Sequence, residues 1–517
     1  MSFFAVEIHF SDRLLESAIG QTERDHKSLP NRWANNVLAS FFAQRHKGFM
    51  FIGRSYEIGL IEQCLHDRSK AQLLILYGRR RIGKSTLIGE SLKGQKNVLF
   101  FEGVEGAPTR NQIDQFLDDL ARQTGRVKLA ARNWREVFQG IGEIIQKGRW
   151  ILVFDEFPWM AAGRSQIVSD LKLYWDRWAR NKDSVLFLCG SVASFMTRHL
   201  IHSKALHNRK TLEMCLGPLT PRESGRFMAQ RGLWEKAQLY MCLGGVPKYL
   251  EQIDPKISLE KNLNRHCFCS SGFFIHEFET LFKEQFRAVK TYETIVRHLA
   301  VSPLGLSDLA RRSNLFKGGG LHQHLENLIR AGFVRSYSPF APTGKQRLRT
   351  RIYKLVDPFL LFYFRHMRPN LKTIESNKSE NLFRTITRDS MDQYYGFAFE
   401  RLCEDSFETI RKRLGLELAD IMTMGPYFQR PAGKRKGLQI DNLIMRRDKV
   451  WTIMEYKYHT TPVGMSVVEE VSRKIERLPV PVNTSVEKVL IAAAGVTKEV
   501  KQSNFFNALL TLGDLIV

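Results

Sequence analysis

The sequence has 517 residues, 43% of them hydrophobic and 25% charged, the proportions of a globular chain long enough for about three domains of roughly 150 residues. No apolar run reaches the ~18–20 residues of a membrane-spanning helix. The N-terminus lacks a basic stretch followed by an apolar one, so no signal peptide is expected and a cytoplasmic protein is. A formal net charge of +25 favours a polyanionic partner.

Residues 1–49 read as an N-terminal extension, polar and mixed in charge, with one helix expected around Asn31–Gln44. Met50 is an alternative start. From residue 51 the pattern is α/β. A helix is expected over Ile58–Leu65, a strand over Leu73–Leu76 ending at a glycine-rich turn, and a helix over Lys84–Leu92. Val98–Phe101, Trp150–Phe154 and Val185–Cys189 are further apolar runs of strand length. Fully apolar strands alternating with helices predict a parallel sheet covered on both faces.

This first domain is placed at 50–219. A helical lid is expected at 220–284. Residues 285–350 carry eleven Lys and Arg against three acidic residues. Three short helices fit there: Glu293–Ala300, Leu306–Arg312 and Gly320–Arg330. Two β-like runs follow, Phe333–Tyr337 and Arg347–Leu355. That is the outline of a winged helix-turn-helix over 285–365. Its recognition helix would offer His322, Gln323, His324, Asn327 and Arg330. Its wing would offer Lys345, Arg347, Arg349 and Arg351 to phosphates. The last domain, 390–517, alternates again: a helix over Phe397–Ile410, strands over Leu438–Met445 and Val450–Tyr458, a helix over Ser466–Arg477 and a strand over Lys488–Ala493.

Gly78-Arg79-Arg80-Arg81-Ile82-Gly83-Lys84-Ser85 matches GxxxxGK[ST] in full, with Thr86 following. It stands after an apolar strand and opens a helix. Glycines let backbone N–H groups turn around phosphates, and the helix N-terminus favours an anion. Lys84 would reach the β- and γ-phosphates of ATP, and the Ser85 hydroxyl would ligate Mg²⁺. The apolar strand ending in Asp155-Glu156 supplies the second half. Asp155 would hold Mg²⁺ through water, and Glu156 would polarise the attacking water. Ser191, at the end of a further strand, is a candidate γ-phosphate sensor, with a helix cap as the plainer alternative. Arg209 is a candidate transition-state charge, in cis or from a neighbour in a homo-oligomer, with a surface charge as the alternative.

These motifs resemble a family. Phe51-Ile52-Gly53-Arg54 with Glu57, the phosphate loop, FDEFPWM at 154–160, GSVASFM at 190–196, GPLTPRES at 217–224, GGVPKYL at 244–250 and YKLVDPFLLFYFR at 353–365 resemble the archaeal-type P-loop ATPases of the STAND/AAA+ group. The resemblance covers 51–365 and implies an ATPase module, a helical lid and a winged helix, in that order. No second sensor arginine stands out.

In the last domain Asp441 lies fourteen positions before Glu455, and Lys457 follows in a Glu-x-Lys alternation that puts Glu455 and Lys457 on one face of a strand. Two carboxylates bind Mg²⁺, and a lysine beside them stabilises a pentacovalent phosphate. Glu400 on the preceding helix is a further candidate ligand. The pattern, with YYGFAFERLCE at 394–404, resembles the PD-(D/E)xK nuclease fold, although Ile440 stands where that family usually has Pro. The expected architecture is therefore α/β: a P-loop NTPase sheet with a helical lid, a winged helix-turn-helix, then an α/β restriction-endonuclease-like domain. Its expected work is ATP hydrolysis with DNA binding and cleavage. The alternatives are a STAND-type signalling switch and a DNA-binding regulator without cleavage. Seven scattered cysteines, among them Cys267 and Cys269 beside His266, read as core thiols rather than a zinc site, which needs four ligands.

Overall fold

A computed structural model describes residues 51–517 except 147, 163–165, 192–194, 204–205, 287, 316–318, 341–349, 377–380, 430 and 432–436. The expected helix at 31–44, Met50, Arg287, Lys317 and the wing residues Lys345, Arg347 and Arg349 lie outside the described residues.

Five strands form the first sheet: β1 (Gln72–Tyr77), β2 (Val98–Glu102), β3 (Ile151–Asp155), β4 (Val185–Gly190) and β5 (Leu212–Cys215), in the order β2-β3-β4-β1-β5. Every pair is parallel. The inner strands β1, β3 and β4 are buried and almost wholly apolar because both faces are covered, whereas the edge strand β5 exposes Glu213 and Cys215. The helices Ser55–His66 and Lys84–Ser91 pack on one face, and Thr109–Thr124, Trp134–Ile144 and Gln166–Trp178 on the other. The chain leaves β1 towards β2 on one side and passes from β4 to β5 on the other. The switch point therefore falls at the C-terminal ends of β1 and β4, where such sheets bind ligands.

Helices Pro221–Phe227, Leu233–Leu243, Leu259–Cys267 and Glu277–Gln285 follow. Then come helices Val289–Val301, Leu306–Ser313 and Gly319–Arg330 with three short strands: β6 (Leu304–Gly305), β7 (Val334–Tyr337) and β8 (Ile352–Leu355). They pair antiparallel in the order β6-β8-β7. The helices Pro358–Phe362 and Met391–Asp405 lead to a second five-stranded sheet. It comprises β9 (Ile421–Gln429), β10 (Leu438–Arg446), β11 (Val450–Lys457), β12 (Ser485–Ala492) and β13 (Ala508–Leu510), in the order β13-β12-β11-β10-β9. β9, β10 and β11 run antiparallel, while β11, β12 and β13 are parallel. Helix Ser466–Arg477 connects β11 to β12.

One apolar core runs from Leu219 to Ile516 without a break. Its farthest closure is made by helix Leu512–Ile516, whose three apolar side chains are buried. This helix packs so closely on helix Pro221–Phe227 that a Cβ at Gly225 would lie 2.7 Å from Ile516. Among the described residues, no helix is long and apolar enough to cross a membrane.

Candidate functional site

The phosphate loop begins at Gly78, with φ +152° and no room for a side chain, since a Cβ would stand 2.3 Å from the Leu216 carbonyl oxygen. Arg81 and Gly83 both take left-handed backbone, at φ 72° and 82°. Helix Lys84–Ser91 starts directly after. Lys84 is buried, and its Nζ donates to the Arg79 carbonyl at 3.1 Å. The Ser85 hydroxyl donates to Asp155 Oδ2, and Thr86 follows on the first helical turn. Asp155 is 1% exposed, and its other oxygen accepts from Glu156 N at 2.9 Å. Glu156 has left-handed backbone, φ 46°. Its carboxylate accepts from Ser191 N at 3.1 Å and Ser191 Oγ at 2.7 Å. The loop after β1 and the ends of β3 and β4 thus bring Lys84, Ser85, Asp155, Glu156 and Ser191 to one edge of the sheet. A hydroxyl and a carboxylate in contact are the hard oxygen donors that Mg²⁺ takes beside substrate phosphates, so the residues fit the ion.

Other expected contributors sit elsewhere. Arg209 precedes β5, and the Thr211 amide bonds Leu73 at the start of β1. That places Arg209 at the N-terminal edge of a parallel sheet, opposite the phosphate loop. There it forms a two-pronged pair with Asp176, at 2.5 and 3.0 Å. It supplies no transition-state charge within this chain. The side chains of Arg79, Arg80 and Arg81 are likewise turned to protein acids: Asp357, Glu284 with Glu105, and Glu277. Arg79 and Arg81 are thereby committed to protein partners, while Arg80 also lies over the Trp159 ring and feels the Glu156 charge. Arg54 carries more than its motif revealed. Its buried guanidinium donates to the Ile82 carbonyl at 3.3 Å and the Gly217 carbonyl at 2.6 Å, tying the loop to the chain after β5.

A second polar cluster lies on the other sheet. Asp441 and Glu455 occupy adjacent antiparallel strands, and Asp441 Oδ2 accepts from Tyr456 N at 2.9 Å. The β9–β10 register slips between Ile440 and Leu443. Such a bulge re-aims a side chain, a common device beside active sites. Glu455 is 1% exposed. Its Oε2 accepts from Lys474 Nζ at 2.6 Å, and its buried Oε1 has no hydrogen-bond partner among the described residues. Lys457 reaches both oxygens of Glu470 at 2.9 Å, and Lys474 bonds Glu470 at 3.0 Å. Sequence reading missed Glu470 and Lys474. They stand four apart on helix Ser466–Arg477, a spacing that shares one helix face. Burial, then the Asp441 charge, pushes the Glu455 and Glu400 carboxyls up to about 7.

The three-carboxylate metal site expected from Asp441, Glu455 and Glu400 is not formed. Among the described residues no group of three or more His, Cys, Asp or Glu stands ready to hold a metal. Lys474 occupies one oxygen of Glu455, and Glu400 lies on helix Met391–Asp405 as a neighbouring charge rather than a third ligand. Asp441 and Glu455 alone suit Mg²⁺, which commonly takes one or two protein carboxylates and keeps its waters. The orphaned Glu455 Oε1 marks the vacant valence. Cys267 is a core thiol and Cys269 bonds Ser271.

The helix Gly319–Arg330 buries Leu321, Leu325 and Leu328. His322 and Gln323 are exposed, whereas His324 stacks edgewise on Tyr292 and Asn327 donates to the Tyr292 hydroxyl. Arg330 is half-buried, and Arg351 pairs with Glu326. The β7–β8 hairpin is docked within the chain: Arg335 pairs with Asp405 at 2.8 Å and Lys354 with Glu404 at 2.7 Å.

Residues 51–253 match a family described as an ATPase domain predominantly from Archaea. Residues 363–474 match a family of archaea-bacterial proteins of unknown function. An uncharacterized protein of Methanocaldococcus jannaschii is 26% identical over 414 residues, which cover 79% of this chain and 88% of that one. An uncharacterized ATP-binding protein of the same organism is 45% identical over 47 residues, 9% of this chain and 78% of that one. Among solved structures, a Walker-type ATPase of Pyrococcus abyssi aligns with 61% of this chain and 96% of its own, at 19% identity and a TM-score of 0.45. The ORC2 protein of Aeropyrum pernix, in ADPNP and ADP complexes, aligns with 65% and 98%, at 14% identity and a TM-score of 0.40. The family match falls on the same loop, strand ends and carboxylates described above. Through residues 51–253 the chain carries an ATPase domain of the archaeal P-loop type.

Proposed function

We propose that this chain hydrolyses ATP at the first sheet and cleaves DNA phosphodiesters at the second. At the ATP site Lys84 holds the β- and γ-phosphates, and Ser85 and Asp155 hold Mg²⁺, which when bound neutralises phosphate charge. Glu156 orients the attacking water and accepts its proton. Ser191 keeps Glu156 aimed through its amide and hydroxyl. Ser191→Ala removes one hydrogen bond to a charged acceptor, and kcat is expected to fall about tenfold with little change in KM. Steady-state phosphate release checks this, and an unchanged kcat would remove Ser191 from the site.

The reading of the second site rests on one observation: Asp441, Glu455, Lys457 and Lys474 gather on β10, β11 and the helix beside them. Asp441 and Glu455 offer two carboxylates to Mg²⁺. Lys457 and Lys474 offer positive charge to a phosphodiester whose oxygens gain charge on attack. The chain's basic excess suits a nucleic-acid backbone. Plasmid DNA incubated with the protein, Mg²⁺ and ATP is expected to be nicked or cut. Lys457→Ala is expected to abolish cutting, and Lys84→Ala to report whether ATP gates it. If neither wild type nor variants cut, with or without ATP, the second site is no nuclease.

One observation favours a second reading. The strands that flank the expected wing are paired to Asp405 and Glu404 of their own chain through Arg335 and Lys354. That suits a nucleotide-governed switch in which this module packs in cis. DNA binding that weakens steeply with salt distinguishes the first reading from the second.

A further inference from the structure

We propose that Asp357 and Glu277 are positioning residues of the ATP site, although both lie beyond the matched ATPase region and neither touches nucleotide. Arg79 carries the argument. Its carbonyl accepts the Lys84 ammonium at 3.1 Å. Its guanidinium, 4% exposed, pairs with Asp357 and lies over the Phe333 ring, 5.1 Å from the centroid. Asp357 is itself immobilised. It is 4% exposed, and its second oxygen caps helix Pro358–Phe362 by accepting from Leu360 N at 2.8 Å. One end of Arg79 therefore holds the phosphate-binding lysine, and the other is held by a helix far along the chain.

Glu277 does the same for the strained corner of the loop. Arg81 has left-handed backbone, an uncommon state for a residue with a Cβ. Its guanidinium pairs with Glu277, whose other oxygen accepts from the Tyr249 hydroxyl at 2.6 Å. The Arg81 carbonyl faces Lys248 N at 3.5 Å. Arg80, between them, reaches Glu284 at 2.6 Å. Arg79 and Arg81 thus turn their side chains to acids beyond the matched ATPase region, Asp357 and Glu277, while Arg80 joins Glu284 to Glu105 and lies over the Trp159 ring. A buried guanidinium left without its carboxylate does not stay in place. The loop's shape is set from 277–284 and 357 as much as from its own glycines. The coupling is reciprocal, so phosphate in the loop stabilises the position of helices Glu277–Gln285 and Pro358–Phe362 in return.

The test uses the full chain and ATP with Mg²⁺. Asp357→Asn and Glu277→Gln keep shape and remove charge. Each is expected to raise KM roughly tenfold, within the 5- to 150-fold span of ordinary site-to-site coupling, with a smaller effect on kcat. The double variant Arg79→Met/Asp357→Leu replaces the pair by apolar groups of similar size, which buried pairs tolerate. It covers the case in which a single variant fails to fold. Its KM is expected to match that of Asp357→Asn rather than compound it, as partners in one interaction do. A folded variant with wild-type KM, or losses that simply multiply, would overturn the assignment.

Discussion

Glu156→Gln is expected to lower kcat for ATP hydrolysis by about 10²–10⁴-fold, the usual contribution of a positioned general base, and to leave ATP affinity near its wild-type value. Glutamine keeps the oxygen that accepts from Ser191 N and Oγ, and it accepts left-handed backbone as readily as glutamate. The Asp155 oxygen that receives the Glu156 amide is unaffected, because that bond is made by the backbone. The substitution therefore removes proton-accepting capacity and little else. Single-turnover phosphate release, with a nucleotide titration on the same preparation, checks both halves. Hydrolysis within tenfold of wild type would show that another group takes the proton.

The second large effect is on stability against pH, measured in EDTA. Glu455 is buried, and its carboxyl is held near 7 in the fold against an ordinary 4.5. Below pH 4.5 it is neutral folded and unfolded, and burial adds no charge penalty. Above that, the unfolded chain ionises first and is favoured. The penalty grows as pH rises and is complete above about 7, where it reaches about 3 kcal/mol. Lys474 does not reverse the sign. Burial opposes its charged form, but pairing with Glu455 and Glu470 raises its pKa above the ordinary lysine value, so it is already charged throughout. Urea unfolding is therefore expected to show stability falling between pH 5 and 8, with a flatter profile for Glu455→Gln. If Asp441 and Glu455 take Mg²⁺, the ion stabilises the protein more at pH 8 than at pH 5. Parallel profiles for wild type and Glu455→Gln would refute the buried-carboxylate account.

The ATP site was readable because its parts are close in sequence or lie at the ends of apolar strands. A glycine-rich turn between strand and helix and an Asp-Glu pair closing a strand need no tertiary information. What was misread depended on distant partners. The acids that turn Arg79 and Arg81 outward stand 278 and 196 positions away. The sequence left Arg209 open between a transition-state charge and a surface charge, and the parallel entry into β5 carries it to the edge opposite the loop, where it pairs with Asp176. Glu470 and Lys474 were invisible because the helix carrying them showed only ordinary amphipathic spacing. β9 escaped notice because Gly425 and Pro426 interrupt it and Met422, Met424 and Phe428 face outward, as an edge strand permits. β13 is three residues long, too short for a pattern.

The seat of Ile516 against Gly225 has a consequence for synthesis. Helix Pro221–Phe227 leaves the ribosome about 290 residues before the segment that covers it, a wait of roughly 15–60 s at ordinary elongation rates. During that time its apolar face, and that of helix Leu233–Leu243 beside it, lack their last covering layer. The parallel sheet of residues 72–215 contains all its own strands and can close early. The core beginning at Leu219 cannot close until helix Leu512–Ile516 has been made. Nascent chains of this protein are thus expected to present a closed first sheet, its phosphate loop still awaiting Glu277 and Asp357, tethered to an unfinished second half, and it is the second half that calls for chaperone protection.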